Sequence, residues 1–161
     1  MTPRPVQTVF LACALLAVAR TSSADVTAFV SASPTPGFHL GRGLAAGVGL
    51  VVVAFEIEAA QILEQTSDGE PGLSTGMANV LVQTPLDISG MQFYGTAGVG
   101  LYRERLSGRQ ETSGAVNLGG GVKIGIVGPL KLRLDYRLFR LQGAPLHPTW
   151  HRFYAGATLG F

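Results

Sequence analysis

Cysteine is almost missing from this chain, and the one present, Cys13, lies in the first apolar stretch. The rest of the chain must hold together without disulfides and without thiolate metal sites. A long hydrophobic run is missing too. Val9–Ala19 (VFLACALLAVA) and Leu44–Phe55 come nearest, and both fall short of the roughly 18 apolar residues that a spanning helix needs. An excess of one charge sign is missing once the start of the chain is set aside. Arg4, the apolar Val9–Ala19 and the small residues Ser22-Ser23-Ala24 have the order of a cleaved signal peptide over residues 1–24. The Phe10-Leu11-Ala12 triplet before Cys13 makes a poor lipoprotein signal. Cleavage after Ala24 leaves Asp25–Phe161 as one domain and removes Arg4 and Arg20, so that 12 basic residues become 10, against 10 acidic ones. A neutral chain has no electrostatic footprint for nucleic acid.

Catalytic and cofactor spacings are also missing. Gly119-Gly120-Gly121-Val122-Lys123 is followed by no Ser or Thr and by no helical pattern, so it is not a phosphate loop. Asp68-Gly69-Glu70 is a turn with too few ligands for calcium. His39, His147 and His151 lack metal-ligand spacing and read as solvated histidines in or beside loops. The expectation is therefore no catalytic, metal or cofactor site, and no enzyme.

What the chain does have is alternation. Leu130–Leu141 reads LKLRLDYRLFRL, with Leu130, Leu132, Leu134, Tyr136 and Leu138 on one face and Lys131, Arg133, Asp135 and Arg137 on the other. Period two is a strand signature, because successive side chains point to opposite sides of a sheet. Similar patterns cover Val26–Ala32, Arg42–Leu50, Val51–Ile62, Thr75–Thr84, Met91–Glu104, Ala115–Val127 and Trp150–Phe161, eight strands in all. The second and third are separated by a weakly marked turn near Gly49–Val52. Many glycines, such as Gly43, Gly98, Gly119 and Gly121, sit inside these runs rather than between them. Interior glycine weakens a soluble strand but suits a small, strongly curved barrel.

The connections alternate in length. Ser33–His39, Leu63–Ser74, Arg105–Gly114 and Gln142–Thr149 are longer; Gly49–Val52, Pro85–Gly90 and Gly128-Pro129 are short. Long outer loops and tight periplasmic turns are the pattern of an outer-membrane barrel. The apolar face would then meet lipid, because in lipid a sheet must close on itself. Phe93, Tyr136, Trp150 and Phe153 are candidates for interfacial aromatic girdles. Glu56, Glu58, Lys123, Lys131, Arg133, Asp135, Arg137 and Arg152 would face the lumen. An eight-stranded barrel is just wide enough to be filled by side chains, so these charges are expected to pair as a structural network and leave no wide pore.

The chain finishes HRFYAGATLGF, with Phe153, Ala155, Ala157, Leu159 and Phe161 on one face. This resembles the C-terminal strand of bacterial outer-membrane barrels. The whole of Asp25–Phe161 resembles the small barrels of the OmpA/OmpX and opacity-protein type. The resemblance implies an all-β fold, an eight-stranded antiparallel up-and-down transmembrane barrel in a Gram-negative outer membrane. It implies outer-membrane lipid as surroundings and the barrel-assembly machinery as a partner that reads Phe161, Leu159 and Phe153. Its loops would carry any surface ligand, whose identity stays open. Two other readings compete. A soluble lipocalin-like barrel would hold a lipophilic ligand against the Leu130 face. A lipid-modifying barrel enzyme would resemble the lipid A deacylases, but no H-x-S occurs, and Ser107 or Ser113 with His151 is an arbitrary choice.

Overall fold

A computed structural model of the chain describes residues 23–35, 38–62, 71–85, 88–106 and 108–161. The expected signal segment lies outside the described residues up to position 22. Eight strands follow one another: β1 (Ser23–Thr35), β2 (His39–Leu50), β3 (Val53–Ile62), β4 (Gly72–Gln83), β5 (Met91–Leu106), β6 (Arg109–Val127), β7 (Leu130–Leu141) and β8 (Thr149–Gly160). Each pairs antiparallel with its neighbours, and β8 pairs with β1, so the sheet closes into a barrel.

The register fixes how far the strands lean. One row of partners starts at Leu159 of β8, crosses to Val26, and passes through Ala46, Ile57, Ala78, Val99, Val116 and Arg140. It returns to β8 at Thr149, ten residues from its start (159 to 149). A stagger of this kind is what tilts the strands of a closed sheet and sets its bore.

Several boundaries differ from those expected from sequence. Arg105–Gly114 is no loop: β5 and β6 stay paired up to Leu106↔Arg109. Polar residues line both faces there, so the hydrophobic pattern ends although the ladder goes on. Ser33 and His39 pair with each other at the ends of β1 and β2, and Leu73 and Ser74 belong to β4. The β2–β3 turn is Val51-Val52, closed by the Leu50↔Val53 pair. Neither valine has a positive φ, so the turn lacks the glycine or asparagine that primed turns require. β7 has the bounds its alternation predicts.

Parity sorts the side chains by face. Val30, Leu44, Ile57, Val99, Leu118, Leu134 and Leu159 are exposed on the outside, whereas Glu56, Glu58, Arg133, Asp135, Arg137 and Arg152 are buried inside. This is the reverse of a soluble protein, in which Glu and Arg almost never lie inside unless paired.

Candidate functional site

The lumen is layered. At the periplasmic-type end, where the short turns lie, Lys123 of β6 forms an ion pair with Asp25 of β1. These two, with Glu56, Lys131, Gln83 and Thr158, line a cavity of about 100 Å³ at the mouth. Ala54, Leu81 and Tyr94 pack beside it.

The middle layer is an ion-pair network between opposite walls. β3 supplies Glu56 and Glu58 on one wall; β7 supplies Arg133, Asp135 and Arg137 on the other. Arg137 Nη1 donates to Glu58 Oε2 at 2.7 Å, and Arg137 Nη2 to Glu56 Oε1 at 3.0 Å and Asp135 Oδ2 at 3.1 Å. Arg133 pairs with Glu56 and donates to Asp135 Oδ2 at 2.9 Å. Neutral groups occupy some of the remaining valences, while Asp135 Oδ1 and Arg137 Nε have no hydrogen-bond partner among the described residues. Arg133 Nε donates to the Tyr94 hydroxyl at 2.8 Å, and the Tyr154 hydroxyl donates to Glu58 Oε1 at 3.0 Å. Asn117 donates to Asn79 at 2.8 Å, and Asn79 in turn to Glu56 Oε1 at 3.3 Å. A buried charge without such partners would cost several kcal/mol (about 3–5). The two guanidinium groups also lie over rings, Arg133 over Tyr94 at 5.1 Å and Arg137 over Tyr154 at 5.0 Å.

Small residues make room for this layer. A Cβ on Gly119 would meet Arg137 Cα and Cγ at 2.9 Å, and one on Gly121 would meet the Tyr94 hydroxyl at 2.7 Å and the Asp135 carboxylate. These two glycines face β7 across the β6–β7 ladder, at Arg137 and Asp135.

The outer layer is apolar, which the expectation of a lumen filled by charge did not include. Trp150, Phe139, Tyr102, Ile62, Leu73 and Leu141 form one buried cluster. Trp150 was expected in an outer girdle, yet it is 0 % exposed. It shares the parity of Arg152 and so points inward. Its indole donates to His147 O at 3.1 Å. Arg152 lies beneath this layer and outside the ion-pair network. Its guanidinium stacks on Phe139 at 4.5 Å and donates to Thr75 Oγ1 at 3.2 Å. The β7–β8 connection is tied down over the mouth. The Tyr102 hydroxyl donates to Gln142 O at 2.6 Å, and Leu146 N donates to Glu104 Oε2 at 2.8 Å.

Of the eight charges predicted to share the lumen, five form the network: Glu56, Glu58, Arg133, Asp135 and Arg137. Lys123 pairs separately with Asp25, Lys131 lines the mouth, and Arg152 is held by rings. Sequence reasoning missed Asp25, Asn79, Tyr94 and Tyr154 as partners, although each has inward parity on its strand. Two of the three histidines are not solvated loop residues. His39 is buried in β2, its ring 5.4 Å from that of Trp150. His151 sits on the outer face of β8, its Nδ1 2.7 Å from the Tyr136 hydroxyl. Ser113 has inward parity on β6, so it and His151 lie on opposite faces of the sheet. Among the described residues no His, Cys, Asp and Glu cluster has metal-binding form. Phe93, Tyr136 and Phe153 are exposed on the outside, with the rings of Tyr136 and Phe153 5.0 Å apart and tilted by 46°. Leu159 and Phe161 are exposed on that same outer face.

No protein-family model matches the chain, and neither does a curated relative. Solved structures do. The N-terminal β-barrel domain of Pseudomonas aeruginosa OprF is 14 % identical over 86 % of this chain and 97 % of that one, with a TM-score of 0.64. Neisserial surface protein A is 17 % identical over 86 % and 94 %, with a TM-score of 0.61. The attachment invasion locus protein Ail of Yersinia pestis, solved with the heparin analogue sucrose octasulfate, is 16 % identical over 87 % and 97 %, with a TM-score of 0.51. Similarity at this identity is one of architecture, and it spans nearly the full length of each of these barrels. The chain has the fold of the small eight-stranded outer-membrane β-barrels.

Proposed function

We propose that the protein is an integral β-barrel of a bacterial outer membrane with a structural or surface-interaction role, exported by the signal segment 1–24. The observation that carries this is its sidedness. Ile57 is 68 % exposed and Arg137 0 %, an arrangement that water would penalise on both counts and lipid on neither. Exposed apolar patches on soluble monomers rarely exceed a few hundred Å², and here the apolar face runs round all eight strands. Surrounding lipid is the partner this face fits. The outward face of β8, with Phe153, Leu159 and Phe161, is the segment the barrel-assembly machinery would read.

The lumen argues against a wide pore and against a carrier. Ion pairs fill its middle and Trp150, Phe139 and Tyr102 its outer end. A lipocalin-like carrier needs an apolar cavity there. The remaining sites for a partner are the outer connections, including the β5–β6 hairpin, which runs on past the end of the β6–β7 ladder at Ala115↔Leu141.

The test is the gel mobility of protein extracted in mild detergent from isolated outer membranes, with and without boiling. A closed barrel resists the detergent until heated, so two mobilities are expected. A single mobility, or recovery from the soluble periplasmic fraction, refutes the membrane reading.

A further inference from the structure

The short turns of this barrel are apolar where they stand free. Val51 and Val52 at the β2–β3 turn, Ile88 at the β4–β5 turn, Ile126 and Val127 at the β6–β7 turn and Phe161 after β8 are all exposed, Val127 at 70 %. The charges nearest them among the described residues, Asp25, Lys123 and Lys131, line the mouth cavity instead. On the outward face, from these turns up to Arg42, Arg103 and Arg140, the described residues include no lysine, arginine, aspartate or glutamate. Each short turn also gives a backbone carbonyl to the next strand of the ring. Gln83 N donates to Val52 O at 2.7 Å, Gly125 N to Gly90 O at 2.9 Å and Gly160 N to Pro129 O at 3.0 Å. A turn in water needs no such pairing. A turn in hydrocarbon does, because nothing there can bond to a free carbonyl.

Strand length sets the depth of this rim. The stagger of ten residues around eight strands leans each strand by about 40° from the barrel axis. On β2, eight residues separate the outward Arg42 from Leu50 at the turn (42 to 50). That is about 26 Å along the strand and about 20 Å along the axis. On β7, ten residues separate Arg140 from Leu130 (130 to 140), which is about 25 Å along the axis. The apolar band of an outer-membrane barrel is about 25 Å tall. With the two arginines at its outer edge, the band reaches the β6–β7 turn and passes the β2–β3 turn. An arginine whose stem lies inside the band while its head reaches out still leaves both turns at the inner edge. These two turns lie on opposite sides of the ring, so tilting the barrel lifts one only by sinking the other.

Resting on the membrane reading above, we infer that the short-turn rim is a collar for inner-leaflet lipid. Val51, Val52, Val127 and Phe161 lie among the acyl chains of that leaflet and do not project into the periplasm. The occupant follows from continuity. No charged side chain separates the rim from the lipid-facing wall, and the paired carbonyls meet the demand that hydrocarbon makes. A soluble periplasmic partner would need the rim to stand clear of the band, and neither β2 nor β7 has strand length left for that.

The test uses the full mature chain in phosphatidylcholine vesicles, with Trp150→Phe removing the single native indole. In that background Val51→Trp and Val127→Trp report on the rim, Leu134→Trp on the middle of the wall and Arg109→Trp on the outer hairpin. Quenching is read with phosphatidylcholine brominated on its acyl chains, and separately with iodide loaded on both sides of the membrane. The boiled-against-unboiled gel shift is recorded on the same samples. Both rim reporters should be quenched by the brominated lipid as Leu134→Trp is. Iodide should quench them about tenfold less than Arg109→Trp, because an ion does not enter hydrocarbon. Iodide quenching equal to that of Arg109→Trp places the rim in water, open to a periplasmic protein, and overturns the collar. Shielding from iodide without quenching by the brominated lipid means that a second copy covers the rim, and also overturns it. A second measurement avoids tryptophan. Val51→Asp/Val52→Asp should lower the membrane-inserted fraction severalfold, whereas Arg109→Asp should leave it unchanged. Aspartate suits a turn in water, so the drop reports the surroundings of the turn; equal insertion of the double variant and wild type overturns the collar. If Leu134→Trp also escapes the brominated lipid and no gel shift is seen, the membrane reading itself falls, and the collar with it.

Discussion

Replacing Arg137 by Met isolates the contribution of the middle layer. The guanidinium is fully buried and bonds to Glu58, Glu56 and Asp135 at 2.7, 3.0 and 3.1 Å. The network contains two guanidiniums and three carboxylates, with the Arg152 cation above it. Among the described residues, removing Arg137 leaves Glu58 with only the Tyr154 hydroxyl at 3.0 Å. Glu56 and Asp135 keep Arg133. Breaking a buried pair from one side costs about 3–5 kcal/mol, because a charge is stranded, whereas replacing both partners by apolar groups is often close to neutral. R137M should therefore lose about 3–5 kcal/mol, and E58L/R137M should recover more than half of that loss. Trp150 is the only tryptophan and is fully buried in the outer layer, so its emission reports unfolding. The assay is urea titration of the protein in lipid vesicles, followed by tryptophan fluorescence and by the fraction of unboiled folded band. A loss below about 0.5 kcal/mol for R137M, the range of an ordinary surface substitution, would refute the view that this layer is a closed ionic lock. So would a double variant weaker than the single one.

Three further outcomes follow from the same geometry. Leu134→Arg puts a charge on the outer face halfway along β7; it should cost about 2–4 kcal/mol and reduce the membrane-inserted fraction, and normal assembly would invert the assigned faces. Trp150→Ala removes the largest side chain of the outer layer. It should lower stability by about 3–5 kcal/mol in the urea assay and raise single-channel conductance in planar bilayers; an unchanged midpoint would show that the outer layer is loosely packed. Gly43→Val places a Cβ against the Phe29 ring, 2.7 Å from its Cε2, and should cost about 1–3 kcal/mol through overpacking, read from the same titration.

Much of this was legible in the order of residues, and the reason is parity. In β7 the leucines and the charges separate without exception from Leu130 to Leu138, and the structure places them on opposite faces. The same rule carries Phe139 and Leu141 inward and assigns Trp150 to the lumen with Arg152. Expecting Trp150 in a girdle followed its residue type in place of its parity. The extended β5–β6 hairpin was illegible for a different reason. Glu104, Arg105, Gln110 and Glu111 are polar whichever way they point, so a ladder among them leaves no hydrophobic trace. The Val51-Val52 turn left none either, since it needs no left-handed residue. Partners across the bore, such as Tyr94 for Arg133, depend on the closed three-dimensional register, which no local pattern encodes. Fold, strand count and the buried charges could thus be read ahead of the structure; the pairing among those charges could not.

The ion-pair network joins β3 to β7, and these strands are four apart in the sheet whichever way the count runs round the ring. In a flat, unclosed sheet they would stand about 19 Å from one another, beyond the reach of any of these pairs. Glu56 and Glu58 therefore meet Arg133 and Arg137 only after β8 has met β1. Until that moment the carboxylates and guanidiniums need water, and a half-rolled sheet cannot move its inner face into a dry interior without stranding them. Dehydration of the lumen and closure of the ring are thus one event. The charges act as a latch that engages only on a complete circle, and an assembly missing or misregistering a single strand would find no counter-ions across its bore.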